Sequence, residues 1–192
     1  MSPILNPPAL KDGALWAGKK IGLLGGSFNP AHKGHKHIAL LALENYGLDA
    51  VWWLVTPQNP LKDTVDMAPY DERFASVEKI IDRHPDMVAT HLERELGTRY
   101  TYETVRGLKQ HFPDTEFMFI CGMDNALIFH KWDRWQDLLD LIPITFIDRP
   151  GAVEVVDNSP LKQVTHPHLH WLHGREMMDI SSTQIRNMNK NK

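Results

Sequence analysis

Gly25-Gly26-Ser27-Phe28-Asn29-Pro30-Ala31-His32-Lys33-Gly34-His35 lies between an apolar run, Ile21-Gly22-Leu23-Leu24, and an apolar-periodic segment, Ile38-Ala39-Leu40-Leu41-Ala42-Leu43. That order reads as strand, tight loop, helix. Paired glycines allow a sharp turn and a close approach of backbone to a ligand. His32 and His35 are three residues apart, so both lie on one face of the first helical turn. A helix N-terminus offers unsatisfied N–H groups and a positive dipole end, which suits an anion. Two imidazoles in that place predict a phosphate site. Lys33 and Lys36, on the same turn, read as solvated.

Outward from this stretch, strand-like runs fall at 20–24, 50–55, 87–90, 116–121, 144–147 and 168–172. Run 50–55, Ala50-Val51-Trp52-Trp53-Leu54-Val55, is apolar throughout, as a strand buried on both faces should be. Apolar spacing predicts helices over 34–46, 69–84 and 101–111, with a short helix inside 132–141. Ser181-Ser182-Thr183 reads as the cap of a last short helix carrying Arg186. Strands alternating with helices predict an α/β fold built on a doubly wound parallel sheet. Ligands of such sheets bind at the carboxyl ends of the strands. The Gly- and Pro-marked loops 25–35, 56–62, 122–124 and 179–186 all fall there. Residues 1–19, with three prolines, read as a loosely ordered lead-in to a single domain over 20–192.

Composition limits the partners. At 192 residues and 42% hydrophobic content, the chain can bury one sizeable core. A net charge of −3 gives no general basic field, so no nucleic-acid partner is expected and any anion site must be local. One cysteine excludes an intramolecular disulfide. Cys121, closing an apolar run, reads as a buried thiol and not a nucleophile. No apolar run approaches the ~20 residues of a membrane span. The first residues lack a basic segment followed by an apolar core, so the expected location is cytoplasmic. His166, His168 and His170 alternate and would share a strand face. Three such histidines could hold zinc, but no carboxylate or cysteine is close in sequence to complete the set, and a polar strand face is the expected reading.

Neither G-x-x-x-x-G-K-[ST] nor a G-x-G-x-x-G after a strand is present. His32-Lys33-Gly34-His35, led by Gly25-Gly26-Ser27-Phe28-Asn29-Pro30, instead resembles the H-x-G-H site of the nucleotidylyltransferase superfamily. Far downstream, Ile180-Ser181-Ser182-Thr183-Gln184-Ile185-Arg186 resembles that superfamily's second mark, I-S-[ST]-T-x-[IL]-R. Hydroxyls at a helix start and a forked guanidinium are suited to phosphate oxygens. Between these marks the chain resembles the nicotinate-nucleotide adenylyltransferases in particular. The segments concerned are Thr56-Pro57-Gln58-Asn59-Pro60-Leu61-Lys62, Glu93-Arg94-Glu95-Leu96, Tyr100-Thr101-Tyr102-Glu103-Thr104, Phe119-Ile120-Cys121-Gly122-Met123-Asp124, Lys131-Trp132 and Arg149-Pro150-Gly151. The likeness covers roughly residues 20–186.

The resemblance implies a Rossmann-like nucleotidyltransferase fold. It implies transfer of an adenylyl group from ATP to nicotinate mononucleotide, giving deamido-NAD and pyrophosphate, a step of NAD biosynthesis. His32 and His35 would be catalytic. Gly25, Gly26, Ser27, Phe28, Lys62, Ile180, Ser182, Thr183 and Arg186 would bind ATP and its phosphates. Thr101 and Trp132 would lie at the pyridine ring and Asp124 between the two nucleotides, although a large aromatic such as Trp132 is also a common packing residue. Mg²⁺ would arrive with ATP, held through phosphate and water, with no dedicated protein metal site. Two positions depart from the family pattern. Leu61 stands where a histidine is usual, and Asn29 stands where an aspartate is common and is expected to shape the loop. Two other readings remain open: a pantetheine-phosphate or cytidylyl transferase of the same superfamily, and a non-catalytic nucleotide-binding regulator.

Overall fold

The computed structural model describes residues 5–57, 67–148 and 157–173. Six strands, β1 (Lys20–Gly26), β2 (Ala50–Val55), β3 (Met87–Thr90), β4 (Glu116–Gly122), β5 (Ile144–Ile147) and β6 (Leu169–Leu172), form one sheet in the order β3-β2-β1-β4-β5-β6. Every adjacent pair is parallel. Helices α1 (Lys33–Tyr46), α2 (Tyr70–Ile81), α3 (Leu92–Leu96), α4 (Thr101–His111) and α5 (Trp135–Leu141) connect them. Among the described residues, no helix is long and apolar enough to cross a membrane.

Strand alternation divides the core between the two faces of the sheet. Trp53, Val51, Leu24 and Ile120 pack with Ile38, Ala39 and Ala42 of α1 and Val77 and Ile81 of α2. Trp52, Leu23, Phe119 and Phe146 pack with Val105 and Leu108 of α4 and Leu138 and Leu139 of α5. All six residues of β2 are buried, which is why that run carries no polar residue. The strand order reverses at β1, whose neighbours are β2 and β4. The crevice of such a sheet therefore opens beyond Gly26 and Gly122.

Several boundaries differ from the sequence expectation. β1 runs on through Gly25 and Gly26, which pair with Leu54 and Val55. The glycines therefore extend the strand and do not turn it. A Cβ on Gly25 would lie 2.7 Å from the Phe119 ring, so the position needs glycine for packing. The turn comes at Phe28, with φ of 46°. α2 stops at Ile81, short of 84, because Asp82 and Arg83 both adopt left-handed backbone. α3 was not expected; its five residues are too few for periodicity to register.

The lead-in is tied down over its described part. The Trp16 ring meets Trp52 edge to face at 4.8 Å. The Gly18 amide donates to the Asp114 carbonyl at 2.8 Å, and the Thr115 hydroxyl donates to the Trp16 carbonyl at 2.9 Å. The three alternating histidines do not share a face. His166 pairs with Asp140 and His168 bonds the Leu139 carbonyl on the α5 side, whereas His170 lies beside Tyr46 of α1. His166 and His168 precede β6, so strand alternation does not govern them.

Candidate active site

α1 begins at the crevice, and its N-cap is His32. The His32 Nδ1 accepts the Gly34 amide at 3.2 Å. The His35 Nδ1 accepts the His32 amide at 3.2 Å. Each ring thus uses one nitrogen to satisfy an N–H that the helix start leaves over. The rings lie 3.8 Å apart, tilted by 36°. An acceptor at Nδ1 fixes the neutral tautomer, with the proton on Nε2. Adding a proton at Nδ1 would set N–H against N–H. In this arrangement Nε2 is the protonated nitrogen of each ring, and that of His32 is buried.

The loop ahead of the histidines is braced mainly by α2. The Arg73 guanidinium, 2% exposed, donates to four carbonyls: Ser27 at 2.6 Å, Thr56 at 2.8 Å, Pro57 at 2.9 Å and Ala68 at 3.0 Å. Asn29 Oδ1 accepts the Ala68 amide at 3.1 Å, the loop-shaping role its neutrality suggested. Ser76 Oγ accepts the Ala31 amide at 3.0 Å while donating to the Arg73 carbonyl. The Phe28 side chain is buried, 5.3 Å from Trp53 and 5.1 Å from His35, so only its backbone can serve a ligand. Ser27 Oγ is buried and has no hydrogen-bond partner among the described residues.

Glu93, also buried, accepts from Thr56 Oγ1 at 3.3 Å. Burial pushes its carboxyl up to about 7, against the lowering effects of the Thr56 bond and the Arg73 charge. Burial likewise pulls the Arg73 guanidinium down, offset by Tyr70 and Glu93. Cys121 is a buried thiol, pushed well above its ordinary value by burial.

The other wall is aromatic. Phe119, whose ring fills the space beside Gly25, meets Trp132 edge to face at 5.9 Å. Trp132 also packs on Phe129 at 5.1 Å and remains half-buried. Arg134 lies 4.0 Å from the Tyr102 ring, joining the start of α4 to the segment after Trp132. Thr101 is the first residue of α4, and its N-cap Tyr100 contributes no side-chain bond. Asp124, exposed, is the second residue of the 3-10 turn after β4.

Of the residues singled out from sequence, Gly25, Gly26, Ser27, Phe28, His32, His35 and Asp124 lie at or just beyond the ends of β1 and β4. Thr101 and Trp132 flank the aromatic side. Lys62, Ile180, Ser182, Thr183 and Arg186 lie outside the described residues. Arg73, Ser76 and Glu93 were missed. A signal existed for Arg73, since it shares the buried stripe of Val77 and Ile81 at spacings of four.

Residues 23–188 match the cytidylyltransferase-like family. A protein of Parvibaculum lavamentivorans named a probable nicotinate-nucleotide adenylyltransferase is 41% identical over 189 residues, 90% of this chain and 93% of its own. One of the same name from Roseobacter denitrificans is 49% identical over 135 residues, 70% of this chain and 67% of its own. Among solved structures, the nicotinic acid mononucleotide adenylyltransferase of Plasmodium falciparum complexed with NaAD superposes with a TM-score of 0.70. That match has 18% identity, covers 88% of this chain and 83% of the other, and shows a common fold. The chain belongs to the cytidylyltransferase-like family and, within it, to the nicotinate-nucleotide adenylyltransferases.

Proposed function

We propose that the protein transfers the adenylyl group of ATP to nicotinate mononucleotide, forming deamido-NAD and pyrophosphate. The observation that carries this reading is the reciprocal His32–His35 cap, which sets the two imidazoles side by side at a helix N-terminus at the strand-order reversal. The mononucleotide phosphate, already anionic, attacks the α-phosphorus of ATP. A new P–O bond forms as the bond from the α-phosphorus to the bridging oxygen breaks, and pyrophosphate leaves with that electron pair. No covalent enzyme intermediate is required. Catalysis then consists of positioning and of stabilising charge on the transferring phosphoryl oxygens. His32 and His35 donate to those oxygens, helped by backbone N–H groups of the loop and the α1 dipole.

Lys62 and Arg186 are assigned to the leaving pyrophosphate on family resemblance, as are Ile180, Ser182 and Thr183. Among the described residues, no group of three or more His, Cys, Asp or Glu could hold a metal ion. We assign a divalent cation, Mg²⁺, carried in on ATP and bound mainly by phosphate and water. The cation would neutralise charge on the leaving pyrophosphate. Trp132, half-buried on Phe119 and Phe129, offers a ring face for the pyridinium, and the α4 N-terminus at Thr101 offers donors for its carboxylate. We place the reaction in the cytoplasm, where ATP is supplied. The testing experiment is pyrophosphate release from ATP with nicotinate mononucleotide, compared with phosphopantetheine and with CTP plus a phosphorylated alcohol. Release only with the pyridine mononucleotide is expected.

A further inference from the structure

Among the described residues, Arg73 and Glu93 are the buried members of the Arg, Lys, Asp and Glu set. Among the described residues, Arg73 donates to no carboxylate. Its donors go to backbone carbonyls of three separate segments: Ser27 after β1, Thr56 and Pro57 after β2, and Ala68 before α2. A buried cation kept only to fill volume would be better replaced by an apolar side chain. A planar fork with five donors suits a different task, holding several carbonyls in one fixed arrangement.

The consequence is directional. The Ser27–Phe28 peptide is trans, so its C=O and N–H point opposite ways. With the Ser27 carbonyl drawn onto Arg73, the Phe28 N–H is turned to the side away from α2. The same guanidinium fixes Thr56 and Pro57, which lead into the second loop at the crevice. We propose that Arg73 is a positioning residue for ATP, locking the loops after β1 and β2 together and aiming the Phe28 N–H at a phosphate oxygen. This rests on the adenylyl-transfer reading and adds to it a residue that acts without touching substrate. Two further bonds support the same loop, Ala68 to Asn29 just ahead of α2 and Ala31 to Ser76 within it.

The test uses Arg73→Lys and Arg73→Ala in the full-length protein. Steady-state kinetics are read against ATP and against nicotinate mononucleotide, with thermal unfolding in parallel. Lysine retains the charge but cannot span four carbonyls. For folded variants, kcat/KM for ATP should fall about 10²-fold, the loss expected of a misplacement of about 1 Å. The KM for nicotinate mononucleotide should stay within about threefold. Added guanidinium ion should restore part of the Arg73→Ala loss. The proposal is overturned if folded Arg73→Lys keeps kcat/KM for ATP within about threefold of wild type. It is equally overturned if both substrates' KM values rise together, or if both variants lose the cooperative unfolding transition, which would make Arg73 a stability residue. If the wild-type protein releases no pyrophosphate, the functional reading fails on its own. Calorimetric ATP binding by wild type and Arg73→Lys then decides the point: tenfold weaker binding upholds the positioning role, and equal binding rejects it.

Discussion

His32 and His35 cap the same helical turn through each other's neighbourhood: the His32 Nδ1 takes the Gly34 amide and the His35 Nδ1 takes the His32 amide, both at 3.2 Å. The two bonds commit the Nδ1 of each ring to the start of α1. His35→Ala should lower kcat by about 10²–10³, or ~3–4 kcal/mol, the loss typical of one preorganised donor. Single-turnover measurement isolates the step, and a loss of tenfold or less would remove His35 from the catalytic role.

His32 carries two separable duties. His32→Asn keeps a capping acceptor, so it should retain most of the roughly 1 kcal/mol that a cap contributes. It lacks the Nε2 donor and should lose activity as His35→Ala does. His32→Ala should lose both. Urea unfolding beside single-turnover rates separates the terms, and a fully active His32→Asn would contradict the donor assignment.

Glu93 should make stability pH-dependent. Its folded-state value of about 7 lies above the ordinary 4.5, so the native protein holds a proton that the unfolded chain has released. Its contribution is therefore complete below about pH 4.5, declines as pH rises toward 7, and is flat above. The full swing is at most about 3 kcal/mol. Glu93→Gln should abolish this decline between pH 5 and pH 8, read as the change in unfolding free energy. An unchanged slope would show that Glu93 does not titrate in that window.

Trp132→Ala should raise the KM for nicotinate mononucleotide about 3- to 30-fold, the range expected for losing a cation over an indole face. The KM for ATP should not follow. If Trp132 serves packing alone, stability drops and both KM values stay put.

Trp16→Ala should cost about 2 kcal/mol, from lost apolar burial and the edge-to-face contact with Trp52. Catalytic constants should be unaffected, because the ring lies on the α4–α5 face and away from His32. Unfolding within about 0.5 kcal/mol of wild type would mean that the lead-in adds nothing.

The sheet was legible because β2, β3 and β5 are buried throughout, and the adjacent Trp52 and Trp53 are both accommodated in such a strand. The histidine pair was legible because its spacing fits a helical turn. The turn was misplaced: paired glycines suggest flexibility, but Gly25 is small to admit the Phe119 ring, and the bend falls on Phe28. Arg73 escaped notice because an arginine in a helix ordinarily faces solvent. Its acceptors are carbonyls of distant segments, which leave no trace in side-chain identity. Glu93 sits among Arg94 and Glu95 in a five-residue helix, where no pattern separates a buried acid from exposed ones.

The central claim is the transfer itself. The direct measurement is kcat/KM for pyrophosphate release from ATP and Mg²⁺ with nicotinate mononucleotide, beside nicotinamide mononucleotide. Turnover with the pyridine mononucleotides, faster with the acid, and formation of deamido-NAD are predicted. ATP binding without pyrophosphate release from either mononucleotide would contradict the account.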